Sequence, residues 1–127
     1  MNIDQSNMTP IQDEGLVKFV SYCREKLGYT TPAKIRLYDN HETSKKTKSM
    51  AAFFPETQEI FVLRGSRVRA DWYRSLAHEL VHHKQREDNV PLSNEDGNET
   101  ENEANSMAGV ILREYGRIDP EIYSALW

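Results

Sequence analysis

Two histidines and a glutamate are spaced as His-Glu-x-x-His at His78, Glu79 and His82. Side chains four residues apart on a helix lie one turn above each other, so both imidazoles can reach one metal ion. The carboxylate of Glu79 lies beside them, where it can take a proton from a metal-activated water. The pattern therefore predicts a hydrolytic metal site with Zn²⁺ as its cofactor.

A catalytic zinc ion usually has three protein ligands and one water, so a third side chain is needed. A second helix is predicted over 99–115 and offers Glu99, Glu101 and Glu103. At about 100° per residue, Glu101 falls at the edge of the apolar face of this helix, whereas Glu103 projects to one side and Glu99 nearly opposite. We therefore predict Glu101 as the third ligand. Asn105, one turn later, is predicted to hydrogen-bond a ligand histidine.

The motif itself lies in a helix predicted over 68–86. His78 and His82 fall on the side opposite to its apolar residues, which can pack on a sheet while the histidines face a cleft. His83 projects away from His82, so we predict a packed or hydrogen-bonded imidazole, with substrate binding as the alternative. The apolar side is formed by Trp72, Tyr73, Leu76, Ala77 and Leu80.

The remaining elements predict an α+β fold. Residues 1–8 are expected to form a flexible tail, and 9–127 a single domain that begins with a helix ending near Gly28. Strands are predicted over 34–38, 50–54 and 59–63, with a turn at 55–58, so the sheet is expected to be small and mainly antiparallel. Gly116 is expected to end the second ligand-bearing helix, and a short helix is predicted after Asp119.

Length and charge narrow the function classes. The chain has 127 residues, a length that suits one domain, and its net charge of −4 gives no case for nucleic-acid binding. The basic run at 45–48 is predicted to be a solvated loop. The single cysteine, Cys23, excludes an intrachain disulfide and is expected in the core. No signal peptide or membrane span is evident, so we expect a cytoplasmic protein without a membrane partner.

The site residues resemble those of gluzincin metallopeptidases, which combine HExxH with a glutamate ligand on a later helix. Ala77-His78-Glu79-Leu80-Val81-His82 matches the first part, and Glu101-x-Glu103-Ala104-Asn105 is similar to the ExEA(N/D) signature of ImmA/IrrE-like peptidases. The small size is similar to that of the minigluzincins. The resemblance implies a zincin-like domain in which Glu101 binds zinc and Asn105 supports a histidine. It also implies that an edge strand, 59–63, binds an extended peptide by strand addition.

The expected function is zinc-dependent peptide-bond hydrolysis, with His78, His82 and Glu101 as ligands and Glu79 as general base. Tyr38, His41 and Tyr123 are open candidates for the group that stabilises the oxyanion.

The alternative function is a zinc-bound regulatory or interaction protein with one dedicated partner and little or no general proteolysis. The apolar C-terminal segment, 118–127, is expected to cover the core; the alternative is that it lies over the cleft and keeps the enzyme latent. A peptide or protein is the expected partner, and the oligomeric state is open.

Overall fold

A computed structural model of the chain describes residues 14–38, 51–65, 67–90 and 99–124, together with the backbone of residues 2–4. Three helices and a small mixed sheet make an α+β domain, so the predicted fold class is confirmed. The elements in chain order are β1 (Asn2–Asp4), α1 (Glu14–Leu27), β2 (Lys34–Tyr38), β3 (Ala51–Phe54), β4 (Glu59–Leu63), α2 (Arg69–Glu87), α3 (Glu99–Ile118) and a 3₁₀ helix at Pro120–Tyr123.

The sheet has the strand order β1-β2-β4-β3. The expectation of a mainly antiparallel sheet is wrong, because β1 pairs in parallel with β2, β2 pairs in parallel with β4, and only the β3–β4 hairpin is antiparallel. The chain between β1 and β2 contains α1, and a crossover of this kind joins parallel strands. The hairpin then returns the chain so that β4, rather than β3, lies beside β2.

The prediction that 59–63 is an edge strand is also wrong. This segment is β4, which lies between β2 and β3. Its last four residues, Ile60 to Leu63, are all buried, and such a continuous apolar run is typical of a strand that is covered on both faces. Of the described strands, β3 is the edge strand on this side, and its four residues are half-buried.

Helix α2 is the central element of the domain. It contacts β3, β4, α1, α3 and the 3₁₀ helix, which explains why it is buried on several sides rather than along one stripe. It begins and ends within one residue of the predicted range. The predicted packing side is confirmed, since its five residues are at most 1 % exposed.

The C-terminal half of α2 is hydrogen-bonded to the loop after α1. The buried His83 donates from Nε2 to the carbonyl of Thr31 at 2.7 Å, and its ring packs edge-on against Tyr29 and Phe53. The prediction of a packed and hydrogen-bonded imidazole is therefore confirmed. One turn later, Glu87 Oε1 accepts from the backbone N–H and the hydroxyl of both Thr30 and Thr31.

Helix α3 does not end at Gly116 but continues to Ile118. Gly116 instead allows a close approach, because a Cβ at this position would lie 2.2 Å from the hydroxyl oxygen of Tyr123. The chain after α3 folds back so that Tyr123 crosses the helix and Ile122 is completely buried in the core. Core packing of the C-terminal segment is thus confirmed for Ile122, whereas residues 125–127 lie outside the described residues.

Several other predictions have mixed outcomes. Cys23 is completely buried in the core, as expected, and the resulting desolvation raises the pKa of its thiol. Asn2–Asp4 lies in the predicted tail but forms β1, where its backbone gains sheet hydrogen bonds. The rest of the tail, the first turn of the predicted first helix and the basic run at 45–48 lie outside the described residues.

Within the described ranges, no helix combines the length and the apolar character needed to cross a bilayer.

Two neighbouring substitutions test whether the buried Ile122 anchors the segment after α3 to the core. We expect Ile122→Ala to lower the free energy of unfolding by about 2–5 kcal/mol, because it leaves a cavity in the core. Tyr123→Ala is the matched control and should cost clearly less than Ile122→Ala, since Tyr123 is 53 % exposed whereas Ile122 is completely buried. Urea denaturation measures the free energy of unfolding of both variants. Equal losses in the two variants would contradict the anchoring role of Ile122.

The contacts of Glu87 predict a pH dependence of stability. Hydrogen bonds from Thr31 and Thr30 lower the pKa of Glu87 to about 2 from the usual 4.5. The stabilisation is therefore complete above pH 4.5 and is lost as the pH falls toward 2. Glu87→Gln should cost about 1 kcal/mol at pH 7, since solvent partly screens this half-buried carboxylate, and the difference from wild type should shrink toward pH 3.

Denaturation curves between pH 3 and 7 measure this difference. Glu25→Gln, an exposed substitution on α1, serves as the control and should follow the wild-type curve at every pH. A difference for Glu87→Gln that stays constant over this range would contradict the predicted pKa.

Candidate metal centre

The predicted ligand residues are brought together where α2 packs against α3. The Nε2 atoms of His78 and His82 are 3.2 Å apart. Glu101 faces both, with Oε1 at 3.1 Å from His82 Nε2 and Oε2 at 3.1 Å from His78 Nε2. The structure places Glu101, the residue chosen from the helical wheel, beside the histidine pair, whereas the side chain of Glu99 is exposed.

The spacing and the chemistry of these donors fit a divalent cation. Ligand atoms at about 2.0 Å from one tetrahedral zinc ion lie about 3.3 Å from each other, close to the separations observed here. Two imidazole nitrogens and a carboxylate are also a ligand set that zinc accepts. Without a cation or a shared proton between them, three electron-rich groups at these distances would repel each other in a partly buried site.

Glu79 lies next to the triangle formed by His78 Nε2, His82 Nε2 and the carboxylate of Glu101. One of its carboxylate oxygens lies within 4.8 Å of the ligand nitrogens of both histidines. The side chain is buried, and burial together with the negative charge of Glu101 raises the pKa of Glu79 to about 8. A bound divalent cation would act in the opposite direction, because it favours the ionised carboxylate.

His78 and Asn105 contact each other across the interface between α2 and α3. Burial lowers the pKa of His78, which favours the neutral imidazole that a metal ion requires. The charge of Glu101 and the contact with the Asn105 side chain oppose this change in pKa. Asn105 also lines the cleft beside His78, so it can influence both the ligand and the space next to it.

Gln85 is the site residue that sequence reasoning missed. Its Oε1 is 2.8 Å from Nδ1 of His82, and its Nε2 donates to the carbonyl of Thr100 and to Oε1 of Glu103. Gln85 is only 3 % exposed. The available signal was its position three residues after His82, which places both side chains on the same side of α2.

A shallow cleft of about 260 Å³ opens beside Glu79. Ala51, at the start of the edge strand β3, forms one wall, so the cleft extends from His78 to the sheet edge. The cleft is lined by Ala51, Arg74, Ser75, His78, Glu79, Asn105 and Ala108.

Two of the three candidate oxyanion donors, Tyr38 and Tyr123, lie away from the metal centre. Tyr38 stacks on Phe61, on the sheet face opposite to the core residue Leu37. The hydroxyl of Tyr123 lies 3.5 Å from the carbonyl of Leu112, which is about 16 Å along α3 from Glu101 at 1.5 Å per residue. His41 lies outside the described residues. No group is therefore assigned to this role.

No protein-family model, curated protein or solved structure matches this chain.

The triangle predicts that metal binding depends on Glu101. We expect Glu101→Ala to weaken zinc binding by more than about 100-fold, because loss of an outer partner alone costs about 10- to 100-fold in metal proteins. Glu99→Ala removes an exposed carboxylate from the same turn and should bind zinc like the wild type. Competition with a chromophoric chelator measures both affinities, and equal affinities for the two variants would rule out Glu101 as a ligand.

Proposed function

We propose that the protein is a zinc-dependent metallopeptidase of the gluzincin type. The observation that carries this proposal is the close approach of His78 Nε2, His82 Nε2 and the Glu101 carboxylate, with separations of 3.1–3.2 Å. The buried carboxylate of Glu79 beside them supports hydrolysis rather than a purely structural metal site, in which the ligands usually close the coordination sphere.

Each residue has a role in the proposed reaction. A zinc ion held by His78, His82 and Glu101 would supply Lewis acidity, activating water and polarising the scissile carbonyl. Glu79 takes the proton of the attacking water and later delivers it to the leaving amine. Gln85 orients the imidazole of His82 from its Nδ1 side, and Asn105 contacts the imidazole of His78.

The edge strand β3 is the proposed binding place for the substrate backbone. It is the outermost described strand beside the cleft, and its first residue, Ala51, lines the same cleft as Glu79. An extended peptide added antiparallel or parallel to β3 would therefore pass the general base. This assignment replaces β4, whose two sides are occupied by β2 and β3.

A second candidate function is a zinc-bound interaction protein that cleaves little or nothing. The small volume of the cleft favours it, since about 260 Å³ is at or below the lower end for pockets that enclose a small ligand. Such a protein would recognise one dedicated partner through a larger surface. The two proposals share the metal site and differ in the role of Glu79.

The substitution Glu79→Gln tests the proposed mechanism. It keeps the size of the side chain but removes the base, so we expect zinc binding to be retained and hydrolysis of an unfolded protein substrate to fall by about 10²–10⁴-fold. Glu56→Gln, in the exposed β3–β4 turn, is the control and should leave both unchanged. Fluorescence release from a labelled unfolded protein measures the rate.

The outcomes separate the two functions. Turnover that is retained in Glu79→Gln would contradict the base assignment. A zinc-loaded wild type that cleaves neither unfolded proteins nor any peptide of a diverse library would favour the interaction protein instead.

A further inference from the structure

Glu103 and Gln85 form a hydrogen-bonded chain that ends on a predicted ligand. Glu103 Oε1 accepts from Gln85 Nε2 at 2.8 Å, and Gln85 Oε1 lies 2.8 Å from His82 Nδ1. The carbonyl of Thr100 also accepts from Gln85 Nε2, at 3.1 Å. Gln85 and His82 are both buried, so solvent does not compete freely for these groups.

The chemistry of the acceptors determines which way the Gln85 amide points. An ionised carboxylate and a backbone carbonyl can only accept hydrogen bonds, so Glu103 and Thr100 must both face the NH₂ group. The amide oxygen is then left facing His82. A flipped amide would place the oxygen of the buried Gln85 against two other oxygens, and it would lose both hydrogen bonds.

The direction of the amide in turn determines the tautomer of His82. The amide oxygen accepts a hydrogen bond only if Nδ1 carries the proton. The remaining nitrogen, Nε2, then has a free lone pair, and this is the atom that faces His78 and Glu101.

We propose that Glu103 is a positioning residue that acts through Gln85 to hold His82 in its metal-binding tautomer. The inference deepens the proposed function and rests on it for its biological meaning. It also gives a role to Glu103, which the helical wheel alone places to one side of the apolar face of α3. Because Gln85 lies on α2 and Glu103 on α3, these hydrogen bonds also join the two helices beside the triangle.

Four variants test this proposal. Gln85→Met keeps an unbranched side chain of similar length but removes the amide. Glu103→Lys replaces the acceptor with a donor, which favours the flipped amide, whereas Glu103→Gln retains an acceptor oxygen. Glu99→Lys makes the same charge change one turn earlier on α3, where the side chain is exposed, and the hydrogen bonds of Gln85 go to other residues. Circular dichroism establishes that each variant is folded.

The first readout needs no metal. Long-range ¹H–¹⁵N spectra of the metal-free protein, at a pH where the ring carbons report neutral imidazoles, distinguish the tautomers of His82. We expect Nδ1–H in the wild type, Glu103→Gln and Glu99→Lys. In Gln85→Met and Glu103→Lys the proton should move to Nε2, where Glu101 can accept it.

The second readout is zinc affinity. Gln85→Met and Glu103→Lys should each bind zinc about 10- to 100-fold more weakly than the wild type, whereas Glu103→Gln and Glu99→Lys should stay within about threefold. An unchanged His82 tautomer in both weakened variants would overturn the proposal, as would an equal loss of affinity in Glu103→Lys and Glu99→Lys. If the tautomers change as expected but the wild type binds no zinc, the positioning role stands and the proposed function fails.

Discussion

The arrangement of α2 and α3 depends on the close contact of two imidazole nitrogens, from His78 and His82, with the carboxylate of Glu101. Separations of 3.1–3.2 Å between these groups are unfavourable unless a cation or a hydrogen-bonding proton lies between them. The helices must also approach closely, and the buried face of α3 beside the site carries the small side chains Ala104 and Ala108. Larger residues there would increase the distance between the helix axes and move Glu101 away from the histidines.

The position of α2 along its axis is equally restricted, because the helix is held near both ends. At the start, the guanidinium of Arg67 donates to the carbonyl of Leu63, at the end of β4, and to the hydroxyl of Ser75. At the other end, His83 and Glu87 bind the loop that follows α1. A shift by one turn, about 5.4 Å, would break both sets of contacts. The same contacts therefore stabilise the fold and keep the histidines in register with α3.

The sequence predicted which helical side chains lie close together better than it predicted the order of the strands, for a physical reason. His78, His82, Glu101 and Asn105 lie on helices, where position follows from local spacing. The order of strands depends on pairing between distant segments, and local patterns did not place β4 between β2 and β3. Gln85 was missed because a wheel treats one helix at a time, and its contact with Glu103 exists only once α2 and α3 have packed.

The contrast between the buried site and the shallow cleft constrains how a substrate would be selected under the proposed function. Glu79 is only 8 % exposed, and the cleft beside it is too small to enclose a large side chain together with its backbone. Recognition would then rely mainly on main-chain hydrogen bonds along β3, which are insensitive to side-chain identity but require an extended segment. Conformation would therefore limit cleavage more strongly than sequence, and segments in stable helices or sheets would be protected because their backbone groups are already paired.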